Sequence, residues 1–151
     1  MAVDGGLRQL FRQNIFNADF ISIESGFTER GIPDLEYCLK GGTTGWVEMK
    51  KTNGDSVNHI KTEQIGWLER RRRYGGRAFM AIRKMVDPGP RRVACDELHL
   101  ILGEGARFAR MTGLGSVPVA MRVGTWAGGP SRWDWGEVRE GLRGDWGTYN
   151  P

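Results

Sequence analysis

Cysteine, histidine and proline are scarce in this 151-residue chain, with two, two and six residues respectively. Cys38 and Cys95 form no Cys-x-x-Cys pair, so no paired-thiol metal or redox motif is present, and a chain of this length needs no disulfide to hold it. Their spacing with His59 and His99 matches no zinc-ligand pattern. The thiols therefore read as small apolar residues, and His99, in a strand, as a partly buried structural imidazole. No run of eighteen apolar residues occurs, and no charged-then-apolar segment follows Met1, so a soluble, unexported protein of the cytoplasm with no membrane partner is expected. No P-loop is present, and Gly103-x-Gly105 lacks the third glycine of a dinucleotide loop, so no nucleotide cofactor is expected. Internal repeats are absent as well.

What the chain has in excess is glycine, and positive charge in one place. The 23 glycines are about twice the usual share and imply many tight turns. A chain of this length buries roughly 70% of its extended surface as one unit. Residues 1–151 are thus expected to form a single domain, with a loose tail from about residue 144. The net charge of +4 is unevenly spread: residues 51–92 hold eleven basic against four acidic side chains, whereas the stretches on either side are slightly acidic. A basic centre of this kind is the footprint of a polyanion partner.

Hydrophobic spacing sets out the order of elements. Leu7, Leu10 and Phe11 form the apolar stripe of a short helix over Gly6–Asn14. Alternation predicts a strand over Asp19–Glu24 and another over Asp34–Leu39, which Gly41-Gly42 folds back alongside Gly45–Lys50. A polar loop follows, then a helix from Thr62, placed to cap it, to about Tyr74, where Gly75-Gly76 ends it. Strands are expected over Arg77–Met85 and Glu97–Leu102, a helix over Gly103–Thr112, and a last helix over Asp134–Leu142. Residues 113–131 give no assignable pattern. The result is an α/β chain with helices against a central sheet.

Chemistry concentrates at the open end of the first hairpin. Alternation puts Trp46, Glu48 and Lys50 on one face of their strand and Val47 and Met49 on the other. Counting outward from the glycine turn sets Asp34 opposite Glu48, with Pro33 at the strand start, where a missing N–H is tolerated. Gln64, Trp67, Leu68 and Arg71 recur at helical spacing, so an amide is aimed toward the sheet.

Pro33-Asp34 followed by Glu48-Met49-Lys50 resembles the signature of the PD-(D/E)XK nuclease superfamily, and Gly31-Ile32-Pro33-Asp34 is similar to a run in its small phage and archaeal Holliday junction resolvases and virus-type replication-repair nucleases. The likeness covers roughly residues 6–102. It implies a restriction-endonuclease-like core, a central mixed sheet flanked by helices. It implies a deoxyribonuclease that hydrolyses phosphodiester bonds with Mg²⁺, for which Mn²⁺ can substitute. Catalytic residues are then Asp34, Glu48, Lys50 and Gln64, and the metal ligands Asp34, Glu48, the carbonyl of Met49, and Glu24. Where the family often has a first-helix glutamate, this helix has no acid, and Asp4 or Glu24 is left to supply a third carboxylate. Lys51, Arg70, Arg71, Arg73, Arg83 and Lys84 are the expected DNA contacts, with structural cations at a helix end as the alternative for the arginine run. A homodimer acting on branched or junction DNA follows from the resemblance, in the cytoplasm of a host were the chain phage-encoded. Two other functions fit the same residues: a sequence-specific or nicking restriction-type endonuclease, and a non-catalytic DNA-binding module on the same fold.

Overall fold

Both predicted strands of the first hairpin form, and they form next to each other. In the computed structural model, which describes residues 3–23 and 30–151, α1 (Leu7–Asn14) is followed by β1 (Ala18–Ser22), β2 (Leu35–Leu39) and β3 (Thr44–Thr52). Helix α2 (Thr62–Arg73) leads to β4 (Ala78–Val86) and β5 (Cys95–Leu102), then α3 (Ala106–Met111), β6 (Arg122–Trp126) and α4 (Trp135–Arg143). Glu24 lies outside the described residues. Among those described, no helix is long and apolar enough to cross a membrane.

The six strands make one sheet in sequential order. Among the described residues only β3 and β4 run parallel, and α2 supplies their crossover, since parallel neighbours cannot be joined by a tight turn. The other neighbouring pairs are antiparallel. Gly41 and Gly42 both adopt positive φ in the β2–β3 turn, a conformation open to glycine at little cost.

Two apolar layers cover the sheet. On one face Leu7 and Phe11 of α1 and Val138 and Leu142 of α4 pack on Tyr37, Val47, Met49 and Phe79. On the other, Trp67 and Leu68 of α2 and Ala106 and Ala109 of α3 pack on Met80, Ile82 and, more loosely, Trp46. Strand β3 is thus sandwiched, with alternate side chains entering different layers as its sequence predicts. His99 is off to one side, on β5, its Nδ1 3.5 Å from Thr125 Oγ1.

Two expectations need correction, and one unassigned stretch takes a definite form. The unassigned stretch contains an edge strand, β6, paired to β5 across an irregularity at Leu100 and Ile101, and two 3₁₀ turns over residues 114–116 and 119–121. Half-exposed Arg-Val-Gly-Thr-Trp offers too little alternation to mark a strand. Thr62 does not cap α2 but begins it, after Lys61. The tail from Gly144 is fastened: Arg72 donates to the carbonyls of Trp146 at 3.1 Å and Gly147 at 2.9 Å, and Tyr149 N–H donates back to the Arg72 carbonyl at 3.1 Å. Trp146 Nε1 adds a bond of 2.9 Å to the Gly141 carbonyl.

Arg72 is 2% exposed and pairs with Glu104, itself 4% exposed, at 2.9 Å. Removing one member of such a pair strands the other charge in the interior. Arg72→Met is therefore expected to cost about 3–5 kcal/mol in urea unfolding. The double variant with Glu104→Leu should recover most of that loss. An Arg72→Met protein within about 1 kcal/mol of the parent would show that the pair is not what fastens α2.

Candidate active site

Pro33 sits immediately before β2, and Leu35 opposes Val47, so one further step of the same register sets Asp34 opposite Glu48. Asp34 does more than face its partner strand. Its Oδ2 accepts the Met49 N–H at 3.1 Å, so the side chain continues the ladder where the β2 backbone has left it.

Glu48 is 2% exposed. Its Oε1 accepts a hydrogen bond of 2.9 Å from Gln64 Nε2 and lies 3.4 Å from Lys50 Nζ. Its Oε2 is buried and, among the described residues, meets no hydrogen-bond donor. Burial raises the carboxyl from its ordinary 4.5 to about 8; the neighbouring Asp34 carboxyl pushes the same way and the Lys50 ammonium opposes both. Desolvation thus outweighs an ammonium at ion-pair distance.

Gln64 is held as firmly as the acid it touches. Its Oε1 accepts the backbone N–H of Lys61 at 3.0 Å, an orphan donor at the start of α2, which leaves the amide nitrogen to point at Glu48. The preceding loop is pinned to the same turn. Gly31 has φ +84°, and a Cβ there would overlap the Glu63 carbonyl oxygen.

A cleft of about 690 Å³ opens over this group, bounded by Asp34, Glu48, Met49, Lys50 and Gln64, by Arg30 to Ile32, and by His59, Lys61 and Glu63. Asp4 and Arg8 form its other wall. Asp4 lies in the cleft, yet both its oxygens are engaged: Oδ1 accepts from Gly6 N at 2.9 Å, and Oδ2 from Arg8 N at 3.1 Å and Arg8 Nε at 3.2 Å. Burial and the nearby Lys50 ammonium hold His59 below the usual imidazole range.

Asp34, Glu48, Met49, Lys50 and Gln64 are therefore brought together, while Glu24 falls outside the described residues. The proposed DNA contacts fare less evenly. Arg83 is 9% exposed and spends its guanidinium on Asp96, at 2.8 and 2.9 Å, and on the Gly5 carbonyl, at 2.6 Å. It is a structural cation, not a surface contact. Lys51 is half-buried on the opposite face of β3 from Glu48 and Lys50, against the segment before α1, where its Cβ lies 3.4 Å from a Cβ built on Gly5. Lys84 is half-buried near the end of β4, opposite Glu97 on β5. Arg70, Arg71 and Arg73 are exposed on the last turn of α2. Arg8, His59 and Lys61 join the cleft with no warning in the sequence. Lone basic residues in a loop or on a helix carry no periodic signal, and only the fold gathers them.

In comparisons with family models, curated proteins and solved structures, the chain matches none.

Two outcomes follow from this geometry. The folded chain holds the Glu48 proton up to about pH 8 while an unfolded chain releases it near 4.5, so rising pH across that window removes stability, by at most ~1.4 kcal/mol per unit. In chelator-containing buffer, thermal melts should show a shallower decline for Glu48→Gln than for the parent between pH 5 and 8. Parallel pH profiles would mean that the carboxyl is not held neutral. Gly31→Ala must displace either the loop or the first turn of α2, and should lower stability by at least ~1 kcal/mol. An unchanged melting temperature would mean that this contact is slack.

Proposed function

We propose that this chain is a metal-dependent deoxyribonuclease of the PD-(D/E)XK type, cutting phosphodiester bonds within the cleft over Glu48. The observation that carries the reading is the buried Glu48 carboxyl beside Asp34 and Lys50, whose Oε2 meets no donor among the described residues. In the metal-free chain a proton answers that buried oxygen, and a bound divalent cation can take the proton's place. Two carboxylates and a backbone carbonyl are hard oxygen donors, which suits Mg²⁺. Asp34, Glu48 and the Met49 carbonyl would hold that ion, which when bound polarises a phosphate and acidifies a water. The element order α1, β1, β2, β3, α2, β4, with β3 and β4 parallel, agrees with the restriction-endonuclease-like core.

The chain's own residues then divide the work. Lys50, 3.4 Å from Glu48, brings a positive charge next to the phosphate and orients the attacking water. Gln64 keeps the Glu48 carboxylate in one rotamer through its bond to Oε1. Arg8, Arg30 and Lys61 line the cleft walls and attract the strand. A branched or junction substrate and a homodimer belong to the same reading and rest on the resemblance alone.

One observation favours a second reading, a DNA-binding module without catalysis. Among the described residues no three His, Cys, Asp or Glu side chains gather around a point suited to a metal, and Asp4 is committed to α1.

Cleavage of branched, nicked, single-stranded and plain duplex DNA with Mg²⁺, and its abolition by EDTA, separates the two. Asp34→Asn should lose both cleavage and Mg²⁺ affinity by calorimetry while still binding DNA. Lys50→Met should keep or slightly gain Mg²⁺ affinity while the chemical step slows on the order of 10²-fold or more. Should Lys50→Met cut at the parent rate, or Asp34→Asn bind Mg²⁺ as the parent does, this division of roles between the acid and the lysine is wrong.

A further inference from the structure

The stripe of α2 that enters the cleft at Gln64 continues through Trp67 to Arg71, seven residues on and so about 10 Å along the helix axis. There a second concavity of about 540 Å³ opens, lined by Trp67, Arg70, Arg71, Tyr74 and Gly76. Its floor is layered. Trp46 and Trp67 meet edge to face at 5.3 Å, and the Arg71 guanidinium lies over both rings, 4.6 Å from the centre of Trp67 and 5.7 Å from that of Trp46. A Cβ on residue 76 would stand 2.7 Å from Arg71 Cδ, so glycine there leaves room for the arginine to lie on its tryptophan. At the rim Tyr74 is 86% exposed, a large ring left in solvent at the end of a helix.

A flat guanidinium backed by an indole, beside an exposed phenol ring and with no carboxylate among the described lining residues, recognises something that is planar and anionic together. A nucleotide is both: its base stacks on aromatic rings and guanidinium planes, and its phosphate answers the charge of Arg71. A base still paired within a duplex cannot offer its face. From Gln64 to Arg71 the separation equals about three base steps at 3.4 Å each.

We propose that this concavity is a stacking site for one unpaired DNA nucleotide, a few steps from the phosphate lying in the cleft. The inference rests on the nuclease reading for its place relative to a scissile bond, and on the concavity itself for the stacking. Under it, the protein engages DNA that is single-stranded, frayed or branched near the bound phosphate, and perfect duplex binds without filling the site.

The test uses the whole chain in EDTA, with a twelve-nucleotide DNA strand carrying one 2-aminopurine, alone or annealed to its complement. Fluorescence should be quenched on binding of the single strand and unchanged for the duplex. Tyr74→Ala, a substitution of an exposed residue, should weaken single-strand binding roughly tenfold, whereas Tyr74→Phe, which keeps the ring, should bind as the parent does. Duplex affinity should be equal for all three. Single-strand binding unaffected in Tyr74→Ala, equal quenching in the duplex, or no binding of either DNA overturns the inference. Cleavage is read separately in Mg²⁺. A protein that never cuts but shows the Tyr74 dependence keeps the stacking site and loses the nuclease reading. A protein that cuts, and whose Tyr74→Ala form keeps the parent's ratio of frayed to blunt duplex cleavage, keeps the nuclease reading and loses the site.

Discussion

The bond from Gln64 to Glu48 joins two parts of the molecule that would otherwise be set independently, the first turn of α2 and the middle of β3. The glutamine can make it because its other atom is already committed to the Lys61 N–H, which fixes which way the amide faces. An acid this deeply buried needs such help, since desolvation alone would turn it away from the interior. The loop that delivers Asp34 is fitted to the same helical turn through Gly31. Loop, helix and strand therefore share one small junction, and the cleft is the space they leave between them.

Positive charge in this chain serves two masters. The surplus of residues 51–92 suggests a single surface for a polyanion, yet two of its arginines, Arg72 and Arg83, lie in the interior holding Glu104 and Asp96. Arg77 donates to the Gly144 carbonyl at 3.1 Å. A guanidinium has five donors in a rigid fork, which makes it as useful for fastening loops and tails as for meeting phosphates. Sequence counts cannot divide these uses, because the division depends on which carbonyls and carboxylates the fold brings near.

Where local pattern decides the structure, the chain is readable. Strict alternation around Gly41-Gly42 yields the register that sets Asp34 against Glu48, and steps of three and four yield the inward turn of Gln64. Legibility ends where contacts are long-range or the pattern is thin. Strand β6 is short, half-exposed and broken by Gly124, so it is recognisable only from its partner β5. The tail reads as loose because its glycines and polar residues say nothing of Arg72, some 75 positions away, which holds it. His59 gives no sign of lining the cleft, since a histidine in a turn-rich loop is placed by Val57 and Ile60 anchoring that loop in the core.

The parallel pairing of β3 and β4 sets Met80 beside Glu48 and Ile82 beside Lys50 in the ladder, and both apolar residues are fully buried. The ladder neighbours of the Glu48 carboxyl and the Lys50 ammonium are thus apolar, and Met80 is a side chain that water does not reach. Labelled with carbon-13, its methyl would act as a silent listener in NMR spectra. Its resonance would shift when the charge on its neighbour changes, without the probe itself touching anything that enters the cleft.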